Sequence, residues 1–209
     1  MEKTRLRSVR NRQKRRQQGE ICRIWHKDDE VSNNIAIFAT NNEKIAVMVK
    51  TNEYKTIDSI VLSNYILKHY GPMSHLKLQK LLFYCDAYCL AYFGQELIID
   101  QFEAWVHGPV SRKVFDELKG QAVLYSDVAY SETPGMDVDA EVEKLTSDQQ
   151  ALIKDVLEQL ASWTGLELEH ATHNERPWQL ARVGYDDAQP CHEIISKDET
   201  ARFYKRDIA

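Results

Sequence analysis

The chain has 209 residues, 43% of them hydrophobic, so it can bury a core, and it has no uninterrupted apolar run of about 18 residues to suggest a membrane span. Its net charge of −5 hides an asymmetry: residues 1–19 hold eight Lys/Arg and one Glu, a local +7, which leaves −12 for the rest. No apolar stretch follows the basic start, so it does not read as a secretory signal. The four cysteines (Cys22, Cys85, Cys89 and Cys191) show no framework spacing, which points to reduced thiols and a cytoplasmic protein.

Residues 1–20 read as a basic, flexible arm, with Leu6 and Val9 its main apolar content. It reads either as a contact for nucleic acid or an acidic protein surface, or as a solvated tail. Residues 21–55 read as a β-like extension. Ile35, Ile37 and Ala39 alternate with polar or small neighbours, as do Ile45, Val47 and Val49, around a turn at Asn41-Asn42-Glu43-Lys44. Ile21–His26 is a candidate third strand. From residue 56 to 209 the pattern is helical. Ile57, Ile60, Val61 and Tyr65 share a face in a helix that Gly71-Pro72 stops. A second helix runs from 74 to about 93, ended by Gly94. Its apolar positions (Leu78, Leu81, Leu82, Tyr84, Cys85, Tyr88, Cys89 and Tyr92) make a wide face, which predicts a central, buried helix.

Ile98 to Val106 reads as extended. Pro109 is expected in the first turn of a helix over 110–119. Residues 120–145 read as loop with a short helix near 139–145, and Ser147 with Gln150 as a capping box opening the next helix. A short helix over 165–173, a turn at Arg176-Pro177-Trp178 and a last helix over 197–205 capped by Ser196 complete the chain. The fold class expected is α+β, mostly α: a compact helical core around a buried central helix, with a small N-terminal β-hairpin or sheet.

Chemistry-bearing clusters are sparse. Cys85 and Cys89, with Cys191-His192, suggest zinc only weakly, because the pair sits inside an apolar helix and reads better as small core residues. His170 and His173 lie near Glu167, Glu169 and Glu175, without a metalloprotease or nucleophile signature. No glycine-rich phosphate loop is present. No catalytic residue, metal ligand or cofactor is assigned, and the chain does not read as an enzyme.

Three segments in order carry a family likeness. Lys77-Leu78-Gln79-Lys80-Leu81-Leu82-Phe83-Tyr84 leads to Gly94; Glu103-Ala104-Trp105-Val106-His107-Gly108-Pro109-Val110 follows; Thr172-His173-Asn174-Glu175-Arg176-Pro177-Trp178 closes. Together they resemble the Panacea, or SocA-like, antitoxin domain over about 57–207. The resemblance implies an antitoxin that neutralises a partner toxin by direct binding, in prophage-borne two-gene systems linked to phage defence, with a translation-targeting toxin as partner. Delivery of the toxin to a protease, or DNA-binding autorepression through the basic arm, are the alternatives. The family-motif residues, mostly structural by expectation, are Lys77, Gln79, Lys80, Trp105, Gly108, Pro109, Val110, His173, Pro177 and Trp178. Trp105 is expected in the core. Lys77, Gln79 and Lys80 are expected to point away from the leucine face, towards a partner or solvent.

Overall fold

The computed structural model describes residues 53–120 and 123–205, together with the backbone of two short strands. The chain divides into two units between Glu53 and Tyr54. In the first, β1 (Ile35–Ala36) pairs antiparallel with β2 (Met48–Val49), Ile35 opposite Val49. The rest of the expected hairpin, its turn, the strand at 21–26 and the basic arm lie outside the described residues.

The second unit is built from helices with small antiparallel strand pairs. Helix α1 (Ser59–Tyr70) starts at Asp58, whose carboxylate accepts the Ile60 N–H at 2.8 Å, and stops at Gly71 with φ +79°. The short strand β3 (Met73–Ser74) leads directly into α2 (His75–Phe93). Ser74 caps α2, and Gly94 ends it in the left-handed conformation while donating its N–H to the Leu90 carbonyl at 3.0 Å. Every α2 residue except Lys77, Tyr92 and Phe93 is buried. A helix enclosed on all sides is the central element of its domain.

Strands β4 (Phe102–Trp105) and β5 (Gly108–Ser111) form a hairpin across the Val106-His107 turn, and α3 (Arg112–Leu118) follows. Pro109 therefore sits in a strand, not in the expected helical first turn. The helix begins three residues later, where the Ser111 hydroxyl can accept the Val114 N–H at 3.4 Å. A proline fits β5 because an edge strand leaves some N–H groups unused.

After β6 (Asp127–Val128), which pairs with β3, come α4 (Val138–Glu143) and α5 (Ser147–Leu160). The capping box that opens α5 is Thr146 with Gln149, one residue ahead of the expected pair. Gln149 is buried and also bonds both backbone groups of Lys55, whereas Gln150 donates to the Glu143 and Leu145 carbonyls. Helix α6 (Gly165–His173) carries a second box, Thr164 with Glu167. The expected turn at 176–178 is instead the start of α7 (Arg176–Ala181); Pro177 lies in its first turn, where its missing N–H costs nothing. Helix α8 (Lys197–Lys205) closes the unit, with the Ser196 hydroxyl accepting the Glu199 N–H at 3.3 Å.

The core is aromatic where α2 meets α8. Phe83, Tyr84, Tyr88 and Tyr204 pack edge-on or stacked, and Phe102 closes on Phe83 from β4. Their hydroxyls are not wasted. Tyr84 donates to Glu175 Oε1 at 3.0 Å and Tyr204 to Glu175 Oε2 at 2.6 Å, so one buried carboxylate ties three helical segments together. Cys85, Cys89 and Cys191 are buried free thiols, and burial pushes the Cys89 thiol up to about 12. Among the described residues no group of three or more ligating side chains is placed to hold a metal, and no helix is long and apolar enough to cross a membrane.

Tyr204→Phe removes a donor from a buried carboxylate while keeping the ring. It should destabilise the protein by about 1–3 kcal/mol. Chemical denaturation of the parent and the variant measures it, and an unchanged midpoint would mean that Glu175 is satisfied without Tyr204.

Candidate functional site: the crossing of three motifs at Gly108

The polar residues of α2 do not face outwards. Gln79 and Lys80 are both fully buried, which overturns the expectation that they project from the leucine face. They are buried because the strand beside them needs them. The Gln79 side chain reads the backbone of Ser111 in both directions: Oε1 accepts its N–H at 2.8 Å, and Nε2 donates to its carbonyl at 3.3 Å. Lys80 Nζ donates to the Pro109 carbonyl at 2.9 Å. Two side chains from a helix thus close the edge of β5 that β4 leaves open, in place of a third strand. Lys77 is half-buried and donates to the Ala161 carbonyl at 2.6 Å, at the end of α5.

Gly108 is where the segments meet. Its φ is +94°, and a Cβ there would lie 2.6 Å from Lys80 Cε and 2.8 Å from Thr172 Oγ1. Both the backbone conformation and the space demand glycine. The third motif locks on from the other side. The Trp178 indole donates to the Trp105 carbonyl at 2.9 Å, and His173 stacks on Trp178 with ring centroids 4.1 Å apart. Pro177 and Val110 are buried around this crossing.

A titratable cluster surrounds the crossing. Desolvation pushes Lys80 down to about 7, although Glu169 pulls the other way. Burial also lowers His173, with Glu169 again opposing. Glu169 Oε1 meets His107 Nδ1 at 2.9 Å at the hairpin tip, and the Tyr125 hydroxyl reaches the same nitrogen at 3.2 Å. His170, the other histidine singled out in the sequence, is exposed and contacts Asn174. At the first residue of α2, burial drives His75 down to about 4, with Lys80 adding to the shift.

Trp105 is half-buried, not a core residue. On its face of the hairpin, Glu103 accepts from Trp105 Nε1 at 2.7 Å, from Arg112 Nε at 2.6 Å and from Arg112 Nη2 at 2.7 Å, and His192 Nδ1 lies 3.0 Å away. Burial alone would push Glu103 up, but the bonds from Arg112, Trp105 and His192 outweigh it and hold the carboxyl below its usual range. The indole packs against Phe115 and His192, and the Arg112 guanidinium lies 5.2 Å from its ring centre. Arg182 was not visible as a functional candidate in the sequence. It is 6% exposed, donates to the Ala104 carbonyl at 2.9 Å and to the carbonyls of Asp186 and Gln189 at 2.8 Å each, and so fixes the loop after α7.

With this geometry in place, comparison with protein families is direct: the model described as "Antitoxin SocA-like, Panacea domain" matches residues 78–179. Over residues 78–179 the chain is similar to the SocA-like Panacea domain. The match takes in Gln79, Lys80, the Trp105–Val110 hairpin and the Thr172–Trp178 segment, which are the residues that interlock at Gly108. Comparison with curated proteins and with solved structures gave no match. The motif side chains of the Panacea-like domain are occupied inside the fold, holding the hairpin and α6 against α2.

The buried lysine sets a pH dependence whose sign follows from its direction of shift. Lys80 holds its proton less tightly folded (about 7) than unfolded (10.5), so between those values the unfolded chain carries more protons. Stability gained from shedding the buried charge is therefore lost as pH falls towards 7 and returns as pH rises above it. The slope is on the order of 1 kcal/mol per pH unit. Denaturation midpoints from pH 7 to 9 should rise in the parent relative to Lys80→Met. Parallel curves for the two proteins would mean that Lys80 stays charged in its site.

Proposed function

We propose that this protein is the antitoxin of a two-gene toxin–antitoxin system. It neutralises a partner protein toxin, one that targets translation, by direct binding in the cytoplasm and without catalysis. The SocA-like Panacea match over residues 78–179 carries this reading. The prophage and phage-defence setting follows from the same likeness. The engagement of Gln79, Lys80, Gly108 and Trp178 within the fold supports a division of labour: these motif residues hold the fold, and recognition falls to surface beyond them.

The proposed organisation is a basic arm over 1–20, a β-like extension over 21–55 and the Panacea-like domain over 56–209. The extension sets partner choice, and the acidic remainder of the chain speeds encounter with a basic toxin face through complementary charge. A chain starting near residue 55 should fold, judged by its thermal transition, yet fail to rescue growth when the protein encoded by the adjacent reading frame is induced. Rescue at equal abundance would show that the extension is dispensable for partner choice. An adjacent product that is harmless, or that does not bind, would remove the antitoxin reading altogether.

The +7 arm favours one additional activity, autorepression by DNA contact. Affinity for the upstream DNA should fall steeply with salt and vanish when residues 1–19 are deleted. Equal binding by the shortened chain in a salt titration rules the arm out.

A further inference from the structure

Among the described residues, the sheet that Gln79 and Lys80 close on one side is open on the other. Residues 193–195 run antiparallel to β4: the Ala104 N–H donates to the Glu193 carbonyl and the Ile195 N–H to the Phe102 carbonyl, both at 2.8 Å, with Glu103 bridged to Ile194. Backbone groups in an antiparallel pair alternate sides. With residues 193 and 195 bonded inwards, the N–H and C=O of Ile194 point away from β4. Among the described residues no group bonds either of them. The side chain of Ile194 is 45% exposed, in register with Glu103 on the face that carries Trp105, Arg112 and His192.

We propose that this edge is a docking strand for the partner toxin, which adds an extended segment to the sheet at Ile194. The inference rests on the antitoxin reading and names the surface and the form of the partner. An unpaired donor and acceptor on an extended backbone fit another extended backbone, and main-chain pairing of this kind tolerates many partner sequences. Next to the edge, Trp105 and Arg112 supply the residue types that most often carry binding energy. The charge around it selects the partner further. Glu193 is exposed and held by the Tyr185 hydroxyl at 2.9 Å, and Asp186 and Asp187 are exposed on the loop that Arg182 ties down. None of the three has an ion-pair partner among the described residues. They favour a strand with an apolar residue opposite Ile194 and a basic residue beside it. They disfavour a second copy of this chain, which would bring the same carboxylates to the same place.

The test uses the full-length protein and, as probe, the purified product of the adjacent reading frame. Ile194→Pro deletes the outward N–H without touching the two bonds to β4, and Ile194→Lys keeps the backbone but guards the edge with charge. Calorimetric titration should show affinity falling about tenfold or more for both variants, while Leu166→Lys, on α6, binds as the parent does. Melting temperatures establish which variants are folded, and Ile194→Lys alone decides the matter if the proline variant is not. In the parent, amide exchange at Ile194 should slow on complex formation. Full affinity in a folded Ile194→Lys protein, with exchange at Ile194 unchanged, overturns the proposal. So does a parent that forms dimers which Ile194→Lys abolishes, because the edge then belongs to a second copy. A parent that does not bind the probe sinks the antitoxin reading and this inference with it, a result distinct from binding that ignores Ile194.

Discussion

Everything in the Panacea-like domain leans on the burial of Gln79 and Lys80 against the edge of β5. A fully enclosed helix cannot carry an amide and a lysine amine unless each is given partners, because unpaired polar groups cost several kcal/mol to bury. A strand edge cannot lie in a core without the same provision. Each problem is solved by the other: the glutamine satisfies both backbone groups of Ser111 and the lysine satisfies the Pro109 carbonyl. The distance at which they meet leaves no room for a side chain at Gly108, and so Thr172 and the rest of α6 can close over the same point. The position of the hairpin, the approach of α6 and the stacking of His173 on Trp178 are all downstream of that contact.

The same reasoning explains which parts of the fold can be read from sequence. Helices α1, α2, α5 and α8 announce themselves because apolar spacing and local caps decide them: Gly71, Gly94 and Ser196 act within a few residues of the helix they bound. The burial of Gln79 and Lys80 has no local signature. Polar residues between leucines read as an outer face, and only the arrival of β5, some thirty residues on, turns them inwards. Pro109 and Pro177 show the limit at closer range. Pro109 lies just ahead of α3 and is held in a strand by the Lys80 contact, while Pro177, read as part of a turn, lies in the first turn of α7. Trp105 misleads for a related reason: its size suggests a core position, but a bidentate Arg112–Glu103 pair and His192 hold it at the surface.

Of the candidate site, the motif residues were legible as a set with a mostly structural role expected, but the contacts that each makes were not. Their spacing marks the family, but a pattern cannot tell a side chain that grips a neighbouring backbone from one that awaits a partner. Ile194 illustrates the converse. It lies outside every motif, and its exposed backbone becomes meaningful only once β4 is seen to use residues 193 and 195.

Helix α8 lies beyond residue 179, where the family match ends, yet it supplies Tyr204 to the aromatic cluster around Tyr84 and Tyr88 and is packed along α2. On a ribosome, which adds about 5–20 residues per second, α2 emerges seconds before the helix that covers it. During that interval the nascent chain must shelter a bare face of tyrosines and leucines by other means. Completion of this domain is therefore timed by the synthesis of a segment that its own family signature does not include.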